Sequence, residues 1–134
     1  MLEVSGSRPR VIRCLAHPEA LDALATSADV HACRVAADEL FLVGQAADVE
    51  VAGGLAVEET GAWAEWTLSG PDAAEAVARL SALPAGPGFL QGEVAGVPAK
   101  AIVGDGEIHL LVPASVAHHV EERVLVACAD LLAT

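Results

Sequence analysis

Ser69 and Asp72 flank a Gly-Pro pair in the segment SGPDA, and a serine beside a carboxylate raises the possibility of an activated nucleophile. A serine nucleophile needs a base and a group that orients the base, and no histidine lies near Ser69 in sequence. The same five residues suit the joint between a strand and a helix. Pro71 fits a first helical position, where its missing N–H costs nothing, with Ser69 or Gly70 as cap and Asp72 and Glu75 negative in the first turn. SGPDA therefore reads as a joint, and no catalytic residue is assigned. His118 and His119 are adjacent and diverge by about 100 degrees on a helix, so they cannot chelate one ion. His118 and Glu122 share a helical face, but two ligands without a third in register read as a solvated face, and no metal site is assigned. His17, His31 and His109 are scattered. The pairs Asp38-Glu39 and Glu58-Glu59 are sequence neighbours whose side chains point apart, whereas acid–base work needs carboxylates that converge on a concave site. Gly86, Gly88 and Gly92 lack the following Gly-Lys of a phosphate loop, and Lys100 is the sole lysine.

The composition narrows the rest. At 134 residues the chain has the length of one domain with one two-layer core. Hydrophobic residues are 54% and charged residues 19%, which is a globular composition, but aromatics are only 3%, so the core is built from thin Ala, Val and Leu side chains. Such a core buries little area per residue, and an obligate partner would offset the shortfall. The formal net charge is −12 with seven basic residues, which repels phosphate backbones and anionic bilayers. Neither nucleic acid nor a membrane is expected as a partner. No apolar run reaches the roughly 18 to 20 residues of a bilayer span, and MLEVSGSRPR has no apolar core of the signal-peptide kind. Cys14, Cys33 and Cys128 are widely spaced, odd in number and without CxxC spacing, which favours reduced thiols and a cytoplasmic setting.

The elements that would position these residues follow from period and punctuation. Residues 1–10 read as a flexible tail. VIRCLA is a short strand, and HPEALDALATS a short helix with Pro18 in its first turn and Leu21, Leu24 and Ala25 on one face. VHACRVAADELFLVG gives two strands around a turn, closed by Gly44. Gly53 and Gly54 mark a loop or a break in a strand. Residues 62–68 alternate as a strand, with Ala62, Ala64, Trp66 and Leu68 on one face and Trp63, Glu65 and Thr67 on the other. After the SGPDA helix comes a PAGPG loop, then three strands, the last two paired around Gly104-Asp105-Gly106. ASVAHHVEERVLVACADLLAT is the clearest helix, with Ser115 as cap and Val116, Val120, Val124, Ala127 and Leu131 along one stripe. The order predicts an α+β fold: a split βαβ or ferredoxin-like plait, mostly antiparallel, with helices on one side, in a single domain over residues 1–134.

Four blocks carry a family resemblance: VAADELFLVG, WAEWTLSGPDAAEAVARLSAL, GFLQGEVAGVPAKAIV and GEIHLLVPASVAHHVEERVLVACADLL. From about His17 to Leu132 the chain resembles the gamma subunit of heterotetrameric sarcosine oxidase. More broadly it is similar to the folate-binding plait of aminomethyltransferase, the glycine-cleavage T-protein. The resemblance implies a non-catalytic accessory subunit packed on a large alpha subunit, within a complex that oxidatively demethylates sarcosine or a similar N-methyl amine. It also implies that FAD or FMN, NAD and tetrahydrofolate sit on the alpha and beta subunits, with no cofactor on this chain. The T-protein's acidic catalytic segment aligns near Val97–Ala101, where Ala99 and Lys100 stand in place of carboxylates, so that chemistry is expected to be missing here.

Trp63, Phe89 and Leu90 are the candidate interface anchors, as large apolar groups at half-exposed positions. The competing reading is a stand-alone folate or one-carbon-binding protein of the same plait, for which Arg34, Gln91 and Lys100 are the candidate pterin or carboxylate contacts. A self-associating structural domain is a third.

Overall fold

The computed structural model describes residues 1–24, 28–44, 49–83 and 87–132. Ala25, residues 45–48 and the Pro84–Gly86 portion of the expected loop lie outside them. In chain order the elements are β1 (Glu3–Ser7), β2 (Arg10–Leu15), α1 (Pro18–Asp22), β3 (Val30–Ala36), β4 (Glu39–Gly44) and β5 (Leu55–Glu58). There follow β6 (Trp63–Ser69), α2 (Ala73–Leu80), β7 (Gly88–Val94), β8 (Val97–Val103), β9 (Glu107–Pro113) and α3 (Ala117–Ala127). The fold is α+β, and every strand pairing among the described residues is antiparallel apart from an isolated bridge between Leu2 and Leu132. The chain divides into two compact units, Met1–Ser7 with Ala62–Thr134, and Arg8–Gly61. Length alone suggested one core; each unit has its own buried apolar cluster.

The larger unit is a sheet of order β1-β6-β9-β8-β7. Alternation sets its covered face: Ala64 and Leu68 of β6, Ile108, Leu110 and Val112 of β9, and Ala99 and Ala101 of β8 join Ala73 and Ala76 of α2 and Val120 and Val124 of α3 in one cluster. Each fully buried Leu or Val contributes roughly 1.5–3 kcal/mol. Trp66 shares this face, as its parity requires, and its Nε1–H donates to the Ala117 carbonyl at 3.0 Å, tying β6 to the start of α3. Its ring lies against β1, where a Cβ on Gly6 would come within 2.6 Å of the indole. The smaller unit is a sheet of order β3-β4-β2-β5. Ile12 and Cys14 of β2, Leu40 and Leu42 of β4, and Leu21 of α1 form its cluster.

Several expectations are corrected. The stretch read as a tail contains β1, which pairs with β6 from Glu3 opposite Ser69 to Ser7 opposite Glu65. Pairing holds it, together with Leu2 just ahead of it, which is buried, and Val4, which packs on the apolar cluster. SGPDA is a joint, but α2 begins at Ala73 with Asp72 at the cap position and no side-chain capping bond. Pro71 sits in the turn before it, and the Asp72 carboxylate is taken by the Met1 ammonium. Ala74 points outward rather than into the apolar stripe. Ser115 does not cap α3, since Ala114–Val116 form a 3-10 turn ahead of it. His17, read as incidental, caps α1 by accepting the Glu19 N–H at 3.3 Å. Gly53 and Gly54, read as a loop or a break in a strand, lead directly into β5, a strand not assigned from the sequence.

The β7–β8 hairpin turns at Ala95 and Gly96, with φ of 53° and 80°. A non-glycine side chain in the left-handed region is strained by roughly 1–2 kcal/mol, and asparagine tolerates it best. Ala95→Asn is therefore expected to raise stability by about 0.5–1 kcal/mol, read as a higher urea midpoint at unchanged slope.

Candidate functional site

The face of the larger sheet opposite α2 and α3 carries its polar chemistry. Register places Thr67 of β6 opposite His109 of β9, and Glu65 opposite Leu111. His109 Nδ1 lies 3.2 Å from Thr67 Oγ1 and 3.4 Å from Glu65 Oε1, and its Nε2 lies 3.3 Å from Glu107 Oε1. Ser7 of β1 donates to Glu65 Oε1 at 3.5 Å. Glu65 is only 9% exposed and is the buried charged side chain among the described residues. A buried carboxylate needs donors: Ser7 supplies one, and a proton on His109 Nδ1 would supply a second.

Hydroxyl, imidazole and carboxylate here stand in the order of a nucleophile, its base and its orienting group. Two features remove that reading. Glu65 competes with Thr67 for the same imidazole nitrogen. Thr67 also sits mid-strand between β1 and β9, so the backbone around it is committed to the sheet ladder, leaving no pair of amides to receive an oxyanion. The cluster is a polar tie across three strands. Sequence reading missed it: Glu65 and Thr67 were placed on the correct face, but nothing local shows that β9 brings His109 beside them from 44 residues away.

The residues nominated from sequence divide between the two units. Lys100 of β8 stands opposite Gln91 of β7, and its Nζ lies 5.0 Å from the centre of the Trp63 ring. That is the geometry of a cation–π contact. Phe89, two residues before Gln91 and opposite Ile102, shares their face. Leu90 has the other parity and packs on the buried cluster beneath the helices, so Trp63, Phe89 and Leu90 do not form one patch. Arg34 belongs to the smaller unit, where its guanidinium is held by Asp22 and donates to the Ala37 carbonyl at 3.1 Å. His118 pairs with Glu122 at 3.0 Å on an exposed face, as their spacing predicts. No group of His, Cys, Asp and Glu among the described residues could hold a metal ion.

Among the described residues the larger unit carries shallow grooves. One of about 420 Å³ is lined by Leu80, Ser81, Leu83, Gly92, Glu93 and Gly96, and its hydroxyl is used internally, Ser81 donating to the Glu93 carbonyl at 2.6 Å. Another, of about 250 Å³, lies between Pro71 and the Gly104–Glu107 turn, beside the carboxylates of Asp105 and Glu107. None of the nominated residues lines either.

The resolved titration shifts belong to structural groups. Burial pushes the Cys14 and Cys128 thiols up, which keeps them protonated and unreactive. Hydrogen bonding to Glu39 raises Arg13. Arg79 of α2 donates to Asp130 at 2.6 and 3.1 Å, to the Ala127 carbonyl at 3.0 Å and to Glu75 at 3.1 Å, so it ties α2 to the end of α3. That contact holds the Asp130 carboxyl below the usual carboxylate range. A depressed folded-state value contributes stability above the unfolded value and loses it as pH falls through the folded one. The tie is thus intact at neutral pH and released in acid. Titration of Asp130 by NMR should give a midpoint below that of a free aspartate, restored by Arg79→Ala and partly restored by salt, because the pair is exposed.

No family model matches the chain, and no curated protein matches it by sequence. Its fold matches solved structures, among them a chain of the heterotetrameric sarcosine oxidase from Corynebacterium sp. U-96 in complex with pyrrole 2-carboxylate. The TM-score is 0.78 at 15% identity, over 99% of this chain and 86% of that one. At that identity the likeness shows fold. No helix among the described residues is long and apolar enough to cross a membrane.

Proposed function

We propose that this chain is a non-catalytic accessory subunit of a heteromeric, flavin-dependent sarcosine or N-methyl amine oxidase or demethylase, supporting a larger subunit. The observation that carries this reading is the correspondence of fold over 99% of this chain and 86% of a chain of a heterotetrameric sarcosine oxidase. The residues agree with it: the hydroxyl–imidazole–carboxylate cluster is wired as a tie, and the thin Ala- and Val-rich core of the larger unit gains from a bound neighbour. Flavin, NAD and tetrahydrofolate belong, on this reading, to the alpha- and beta-type subunits. Cys14, Cys33 and Cys128 are buried thiols, which suits a reducing cytoplasm.

The test is retrieval of the native complex through a tag on this chain, followed by an absorbance scan. A flavoprotein retained in fixed ratio is the expected result. A folded monomer that retains no flavoprotein overturns the reading.

One observation favours the second reading. Gln91 and Lys100 face each other beside Trp63, giving an amide, an ammonium and an aromatic ring on one sheet face. Such a set could meet the ring and carboxylate of a folate. Calorimetry of the isolated chain with tetrahydrofolate separates the two: micromolar or tighter binding favours the folate-binding protein, and absence of heat removes it.

A further inference from the structure

Leu55 and Val57 occupy alternate positions of β5, so they leave the sheet on one face, and they are 56% and 39% exposed. Across from them on β2 stand Leu15 and Arg13, which continue the strip with another leucine and an arginine's aliphatic stem. β5 ends the order β3-β4-β2-β5 and, among the described residues, pairs with β2 alone. One side of its backbone therefore presents amides and carbonyls beside an exposed apolar strip, which is a template for an added strand.

Charge selects the occupant. On the face of the strip Glu39 and Glu59 both bind Arg13, at 3.1 and 3.7 Å, which leaves carboxylate in excess over guanidinium there. A second copy would bring the same excess of carboxylate and another net charge of −12 to this edge, and the two would repel. The complementary occupant is an apolar strand flanked by Lys or Arg. We infer that the outer edge of β5, with Leu55 and Val57, docks such a basic-flanked strand of the larger subunit. This rests on the accessory-subunit reading and differs from it in naming the surface, which is not the Trp63 and Phe89 face nominated from sequence.

The experiment uses the full chain in the complex retrieved by its tag. Leu55→Ser with Val57→Ser removes the strip at exposed positions, and Val126→Ser, at a 70% exposed site on α3, is the control. The expected result is a loss of about tenfold or more in retained flavoprotein for the double variant and none for the control. Retention by the wild-type chain should also fall as salt rises, and amide exchange of β5 should slow in the complex relative to the free chain. The exchange measurement uses the wild-type chain, so it decides the question even if the double variant fails to fold. Full retention by a folded double variant, or β5 amides unprotected in a flavin-containing complex, overturns the docking surface and leaves the accessory-subunit reading standing. A wild-type chain that retains no flavoprotein overturns both. A homodimer that dissociates on the double substitution overturns the inference in favour of a second copy.

Discussion

Leu2→Ala lowers the unfolding free energy of the larger unit by about 2–5 kcal/mol, the range for truncating a buried leucine and leaving a cavity. Leu2 is fully buried in the cluster under α2 and α3. Its N–H donates to the Leu131 carbonyl at 2.7 Å, and it bridges Leu132, so the residue ahead of β1 is anchored to the chain's other end. Both tryptophans, Trp63 and Trp66, lie in this unit, and urea unfolding followed by their fluorescence reads its stability directly. A residue in a disordered tail would change that curve by less than about 0.5 kcal/mol. A shift that small would show that β1 does not hold the fold.

Gly44→Ala is the second large effect, and it falls on the smaller unit. Gly44 ends β4 with φ of +127°, a region open essentially to glycine, and an added Cβ would stand 2.4 Å from the Asp29 carbonyl oxygen. That neighbour is backbone, so the turn between β3 and its approach must move. The loss expected is at least about 3 kcal/mol, from backbone strain plus the clash. Gly53→Ala provides the comparison: its φ is +67° and an added Cβ meets nothing within 4 Å, so it costs only the left-handed strain of about 1 kcal/mol. Since the smaller unit contains no tryptophan, the measurement is amide exchange along β3 and β4. Equal exchange in the two variants would refute the close approach at Gly44.

The hairpins were readable because their signals are local. Val30–Ala36 with Glu39–Gly44, and Val97–Val103 with Glu107–Pro113, are runs rich in apolar and β-branched residues joined by short turns. The face assignments of β6 were equally local: Trp66 went to the helix side and Trp63 to the other, as alternation requires. β1 and β5 were missed for the same physical reason. Their apolar alternation is brief, Leu2 and Val4 in one case and Leu55 and Val57 in the other, and each becomes a strand through hydrogen bonds from a partner far along the chain. Helix starts were off by a few residues because a cap depends on where the side chain finds a partner. Asp72 found the chain terminus instead of its own helix.

The candidate site shows the same division. Glu65, Thr67 and His109 are all visible as polar residues of one parity, but their convergence depends on β9 being the neighbour of β6 in this register. Gln91 and Lys100 meet because a two-residue hairpin joins their strands, whereas Arg34 was grouped with them on residue type alone and belongs to the other unit.

By itself the sequence determined the α+β class, the two faces of β6, the acid excess and the resemblance borne by four ordered blocks. Only the tertiary structure decided the two units, the recruitment of β1 and β5, and which polar groups touch. Parity and turn chemistry are set by bonds between near neighbours. Strand order is a choice among distant pairings of nearly equal backbone energy, and the packed whole selects one.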